Sequence, residues 1–142
     1  MSDFDLPDVN VLVALLHPDH VHHAAAQNWF NGVQRFATTP ITEAGFLRLT
    51  LNPVVMKGVV SVDIALASLR SLRADPRAMF CPDDSSLANA AIDLISLVGP
   101  KQVTDLHLVN LAVIHHGRLV TFDTKIRPTL VSDDQGHVLV LI

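Results

Sequence analysis

Four acids stand where predicted elements begin or end: Asp8, Glu43, Asp105 and Asp123. Carboxylates gathered in one place suit Mg²⁺ or Mn²⁺, which take hard oxygen ligands and usually keep several waters. Without a cation such a group repels itself. An ion of this kind activates a water as nucleophile and stabilises charge on a scissile phosphate. A phosphodiester in turn offers anionic oxygens that complete the coordination sphere. The chemistry these residues point to is metal-assisted hydrolysis.

Each acid also has a plainer use. Asp8 suits a helix N-cap. Asp105, in the first turn of a predicted helix, complements the helix dipole. Glu43 falls one position late for a capping box with Thr39, and shares a narrow polar stripe with Thr50, which suits solvent. Asp123, in Phe-Asp-Thr, suits a turn. No one acid decides the matter; their joint placement is the informative feature.

Turn signals set out the elements that must position them. Residues 4–7 are a short strand, and 9–16 are apolar and helix-compatible, ended by His17-Pro18-Asp19. Residues 20–32 read as a helix, with three alanines as strong helix formers and Gly32 as its stop. Residues 35–38 form a second strand. Thr39 as N-cap and Pro40 in the first turn start a helix that runs to about Leu51. Residues 61–74 have apolar side chains at 3–4 spacing, as a helix requires. A strand is expected at 78–81, helices at 84–97 and 104–116, the last ended by Gly117, and strands at 118–122 and 137–141. Strands alternating with helices give an α/β fold, a mainly parallel sheet covered by helices. In such sheets ligands bind outside the carboxyl ends of the strands. Asp8 and Asp123 directly follow predicted strands and belong at that edge. A helix after a parallel strand begins there too, which favours the same side for Glu43.

The chain has 142 residues, 49% of them hydrophobic and 17% charged, with a mean hydropathy of +0.37. This is room for one domain spanning residues 1–142, with a real core. The apolar content suits either a large core or an extra face for a partner. The longest apolar run, residues 11–16, is far below the roughly 18 residues of a membrane span. Residues 1–5 carry acids and no basic segment, unlike a signal peptide. Cys81 is the only cysteine, so no intrachain disulfide forms, and a cytoplasmic location is expected. The net charge of −4 argues against passive binding of nucleic acid over the whole surface. It leaves open an enzyme that meets phosphate through bound cations.

Four segments in order resemble the PIN-domain ribonucleases, and in particular the VapC toxins of bacterial toxin–antitoxin pairs. They are Asp8-Val9-Asn10-Val11-Leu12-Val13-Ala14-Leu15, Thr42-Glu43-Ala44-Gly45-Phe46-Leu47-Arg48-Leu49, Thr104-Asp105-Leu106-His107-Leu108 and Val120-Thr121-Phe122-Asp123. The ending Gly136-His137-Val138-Leu139-Val140-Leu141 is similar to that group as well. The resemblance implies a three-layer α/β/α PIN-like domain and a Mg²⁺- or Mn²⁺-dependent endoribonuclease. It also implies an RNA substrate, a cognate antitoxin that blocks the site, and a homodimer. By resemblance Asp8, Glu43, Asp105 and Asp123 are the catalytic and metal-binding acids. Asp8 and Asp105 would ligate directly; Glu43 and Asp123 would do so directly or through water, or help orient the attacking water. Asn10 and Thr121 would support the ligands, and Thr39 matches a further hydroxyl of the family. The expected products are a 5′-phosphate and a 3′-hydroxyl.

Other features have less pull. His17, His20, His22 and His23 crowd one stretch, but their spacing is not that of a zinc finger and no cysteine lies near. Trp29 and Phe30 suit core packing or a partner groove better than base stacking. Lys125 and Arg127 closely follow Asp123 and are the best of the basic residues for a phosphate contact. An alternative class is a non-catalytic PIN-like module that binds RNA or protein, against which the intact set of four acids speaks. A phosphotransferase using Asp8 as nucleophile would want Asp-x-Asp, where this chain has Asp8-Val9-Asn10. No glycine-rich phosphate loop of the Walker type is present.

Overall fold

Three- and four-residue apolar segments supply the strands: β1 (Asp5–Pro7), β2 (Phe36–Thr38), β3 (Ala78–Phe80), β4 (Arg118–Thr121) and β5 (Val138–Val140). They come from a computed structural model that describes residues 2–142. All four strand pairs are parallel, in the order β3-β2-β1-β4-β5. Parallel neighbours need long crossovers, which helices usually provide. The helices are α1 (Val9–Leu16), α2 (His23–Gly32), α3 (Pro40–Thr50), α4 (Pro53–Met56), α5 (Val62–Arg73) and α6 (Val103–Ile114).

Alternation along the strands sends side chains to opposite faces. Leu6, Ala37, Leu119 and Val138 join Leu106, Leu108 and Leu111 of α6 in one apolar layer. Phe36 and Val120 join Val11 and Leu12 of α1, Trp29 of α2, Phe46 of α3 and Leu69 of α5 in the other. Burying one such leucine or phenylalanine contributes about 1.5–3 kcal/mol. The result is the expected three-layer α/β/α arrangement. No helix among the described residues is long and apolar enough to cross a membrane.

The chain leaves β1 toward β2 and β3 on one side, then returns to place β4 and β5 on the other. The strand order therefore reverses between β1 and β4. The crevice outside the carboxyl ends of an α/β sheet, at such a reversal, is where ligands bind. Asp8 and Asp123 follow the two strands that flank it.

Several elements differ from expectation. Residues 84–97 are not a helix; they contain only a 3₁₀ turn, Leu87–Asn89. Ser86 and Asp93 accept the N–H groups of Ala88 and Ile95, at 3.1 and 3.0 Å, which competes with a helical ladder. Side chains of other segments take further donors: Asn110 accepts from Ala91 N–H at 2.7 Å and Asp134 from Asp93 N–H at 2.8 Å. Short polar side chains and long-range partners outweigh the apolar spacing. The second helix starts at His23, after a turn that includes His20. The helix α4 was not expected; Asn52 caps it by accepting from Val54 N–H at 3.0 Å. The left-handed residue after α6 is His116, with φ 67°, and not Gly117. Gly117 is required for a different reason: a Cβ there would fall on the ring of Phe4.

Candidate active site

Asp8 extends the pairing of β1 with β4 by one residue, donating its N–H to Val120 O at 2.8 Å. It is also the N-cap of α1, its Oδ1 accepting Val9 N–H at 2.8 Å. Its other oxygen, Oδ2, accepts the Thr121 hydroxyl at 3.0 Å. The plain use and the chemical one thus coincide in one side chain. Burial pushes the Asp8 carboxyl above its ordinary pKa, and the charge of Asp123 adds to this. The Val9 and Thr121 donors pull the other way.

Thr121 is the knot of this edge. While donating to Asp8, its hydroxyl accepts from Asn10 Nδ2 at 3.3 Å and from Asp123 N–H at 3.0 Å. Asn10 Oδ1 accepts Phe122 N–H at 3.3 Å. One helix side chain and one strand hydroxyl therefore aim both Asp8 and the loop that carries Asp123. Asp123 also makes the expected turn, accepting Lys125 N–H at 2.8 Å.

Asp105, in the first turn of α6, completes the group. Its carboxyl is pushed up to about 6, first by burial and then by the negative charges of Asp8 and Asp123. A second buried acid shows the contrast. Asp5, at the other end of β1, accepts from Trp29 Nε1 and from Arg118 Nε, each at 2.8 Å. Asp5 is held by donors, a structural role, whereas Asp105 faces like charges. A hollow of about 320 Å³ opens beside Asp105 and Asp123, lined also by Lys101, Gln102, Lys125 and Thr129.

Glu43 stands on the same edge but is held separately. Thr38, the last residue of β2, donates its hydroxyl to Glu43 Oε2 at 2.6 Å, and Arg73 Nε lies 3.6 Å from the same oxygen. The Arg73 guanidinium in turn sits 4.8 Å above the centre of the Phe80 ring. The structure thus brings Asp8, Asp105 and Asp123 into mutual electrostatic reach, with Glu43 turned toward Thr38 and Arg73. Among the described residues, no three acidic, histidine or cysteine side chains converge closely enough to ligate one ion as they stand. The donor set is nonetheless all carboxylate oxygen, and its mutual repulsion is what a divalent cation removes. Its chemistry fits Mg²⁺ or Mn²⁺.

The remaining expected residues fall in three groups. Thr39 is buried at the start of α3, but the acid in this stretch is reached by Thr38, a residue the sequence reading passed over. Its place at a strand's carboxyl end was the available signal. Thr42 secures the helix start, accepting Thr39 N–H at 3.2 Å and donating to Thr39 O at 3.1 Å. Lys125 lines the hollow, as does Lys101, which was not singled out. Arg127 does not join them: its Nη2 donates to Val138 O of β5 at 2.8 Å, so it serves the fold. The crowded histidines are mostly occupied with backbone. His17 Nδ1 and His23 Nδ1 lie 2.8 Å from the carbonyls of Val13 and Ala14, satisfying the C-terminal end of α1.

The profile of the PIN domain family matches residues 6–129. Ribonuclease VapC39 of Mycobacterium tuberculosis is 46% identical over 124 residues, covering 85% of this chain and 89% of that protein. Ribonuclease VapC38 of the same organism is 45% identical, covering 85% and 86%. Ribonuclease VapC44, also from M. tuberculosis, is 42% identical, covering 89% and 90%. A crystal structure of M. tuberculosis VapC20, described as a sarcin-ricin loop cleaving toxin, overlaps with a TM-score of 0.45 at 15% identity. It covers 57% of this chain and 58% of that one, too partial a match to add to the argument. With the family profile spanning most of its length and such relatives covering most of theirs, this chain belongs to the PIN-domain family, among the VapC ribonucleases.

Proposed function

We propose that this protein is the endoribonuclease toxin of a toxin–antitoxin pair, hydrolysing RNA with Mg²⁺ or Mn²⁺ at the edge where β1 and β4 end. The observation that carries the reading is the trio of Asp8, Asp105 and Asp123 at one sheet edge, where burial first, and then the charges of Asp8 and Asp123, lift Asp105 to about 6. Asp8, Asp105 and Asp123 would hold the ion. When bound, the ion supplies a water of lowered pKa and charge stabilisation at the scissile phosphate. Glu43 would orient the attacking water once its carboxylate turns from Arg73. Thr121 and Asn10 hold the Asp8 carboxylate and the Asp123 loop in place. Lys101 and Lys125, beside the hollow, offer charge to the phosphates that flank the cut. Hydrolysis by water leaves a 5′-phosphate and a 3′-hydroxyl.

A cognate antitoxin and a homodimeric state belong to the same proposal. Exposed apolar side chains at Val54, Val59 and Ile64, which are 86%, 92% and 62% accessible, support a face that a protein partner covers. An apolar groove between α2 and α5, lined by Leu16, Phe30, Ile64 and Leu72, supports the same. The competing reading is a non-catalytic RNA- or protein-binding module; a degenerate site of that kind would be expected to lose one or more of the acids, and this chain keeps Asp8, Glu43, Asp105 and Asp123.

The deciding experiment is cleavage of RNA by purified, antitoxin-free protein with Mg²⁺ or Mn²⁺, set beside EDTA and beside Asp8→Asn. Activity should vanish in both comparisons. Cleavage that persists through either one overturns the metal site; tight RNA binding without any cleavage supports the binding module.

A further inference from the structure

His22 and Phe122 form a stacked pair on the flank of the acidic site. Their ring centres are 4.7 Å apart and their planes differ by 18°. Phe122 lies between Thr121 and Asp123, the residues that build the site, and its N–H is bound to Asn10 at 3.3 Å. Its backbone is therefore as firmly placed as that of Asp123. Phe122 packs its ring against the α1–α2 layer.

His22 is exposed, in the turn just before α2. Its N–H donates to His20 Nδ1 at 3.0 Å, which fixes the turn. The His20 ring is 5.8 Å from that of His22 and tilted by 40°, so it does not close over it as a parallel ring would. The imidazole thus stays accessible to solvent while its orientation is fixed by Phe122. The core does not need it. His17 and His23, its neighbours in the same stretch, both serve α1 through backbone carbonyls, and His22 has no such use.

A flat ring, open to water and stacked on the residue that joins Thr121 to Asp123, suits an unpaired nucleobase. Any base presents a π-face, so stacking of this kind tolerates sequence. We infer that the His22–Phe122 pair is a base subsite, on which a nucleotide next to the scissile phosphate stacks. This rests on the endoribonuclease reading. It assigns to the histidine-rich turn a part in holding single-stranded RNA.

The test uses single-stranded RNA oligonucleotides carrying one 2-aminopurine at successive positions, titrated with the full-length protein in Ca²⁺, and cleaved in parallel with Mn²⁺. Wild type should quench 2-aminopurine strongly at one position. His22→Ala should lose that quench and bind about 5- to 150-fold more weakly, the range expected for losing one stacked base. His22→Phe should restore both. Because His22 is exposed, thermal melts of the three proteins should coincide. If RNA is cut normally while His22→Ala binds and quenches as wild type does, the subsite is overturned and the nuclease reading stands. If no RNA is bound or cut by the wild type, both fall together.

Discussion

The hydroxyl of Thr121 donates to Oδ2 of Asp8 at 3.0 Å, joining the carboxyl ends of β4 and β1 across the reversal in strand order. The Thr121 hydroxyl oxygen also accepts from Asn10 Nδ2 and from Asp123 N–H. Removing it leaves two donors without an acceptor and one carboxylate without its orienting bond. Thr121→Val should therefore lower both Mn²⁺ affinity and RNA cleavage about 10- to 100-fold, the usual cost of losing a group that orients a metal ligand. Thr121→Ser keeps the hydroxyl and should recover most of both. Calorimetric Mn²⁺ titration alongside cleavage rates decides it; equal behaviour of the valine and serine variants would remove Thr121 from the site.

Asp105 carries a pH dependence whose sign is set by its raised pKa. Its carboxyl titrates at about 6 in the fold against an ordinary 3.8, so the folded chain holds this proton more tightly than the unfolded one. Without metal, the contribution of Asp105 to stability is fully present below about 3.8 and is lost as pH rises through 6. In EDTA, Asp105→Asn should therefore melt above wild type on the alkaline side of 6, and the two should converge toward 3.8. Added Mn²⁺ should raise the melting temperature of wild type and leave that of the variant nearly unmoved. Melts that differ by a constant amount across pH would contradict the raised pKa that burial and the neighbouring charges give Asp105.

For Glu43 the structure separates activity from stability. Its ion pair with Arg73 spans 3.6 Å, with the arginine side chain 48% accessible. Pairs so exposed are worth about 0–1 kcal/mol. Glu43→Gln should accordingly leave urea-unfolding stability within about 1 kcal/mol of wild type, while cleavage falls about 10²- to 10⁴-fold, as for a lost group that handles the attacking water. A variant that cuts RNA at the wild-type rate would confine Glu43 to holding Thr38 and Arg73.

Gly45 tests how closely the helix carrying Glu43 must approach the helix capped by Asp8. A Cβ at Gly45 would lie 2.5 Å from Cγ2 of Val9, whereas one at Gly32 would meet nothing within 4 Å. Gly45→Ala should destabilise the protein by about 1–3 kcal/mol, the cost of overpacking. Gly32→Ala, at the end of α2, should be neutral or stabilising by up to about 1 kcal/mol, through helix propensity. Urea unfolding of the two variants provides the comparison, and equal effects would mean that α3 and α1 yield to one another freely.

The strands and most helices were legible in the sequence because their signals are local. Short apolar runs, Pro40 after Thr39 and the breaker at His17-Pro18 act within a few residues. Strand ends were legible for the same reason, and with them the edge on which Asp8 and Asp123 stand. The stretch 84–97 was misread because its partners lie elsewhere. Asn110 and Asp134 take its backbone donors, and no spacing rule within the stretch reveals them.

Residue types and their order by themselves determined an α/β chain with four acids at element boundaries, and through the motifs around them the family. Only the tertiary structure decided how those acids relate. Asp105 is far from Asp8 in sequence, yet feels its charge, because α6 returns to the same edge. Glu43 is drawn to Arg73 of α5, which no periodicity could announce. Arg127, close to Asp123 in sequence, points to Val138 instead. Coulomb interactions and hydrogen bonds depend on distance in space, and the crossovers of a parallel sheet set that distance almost independently of separation along the chain.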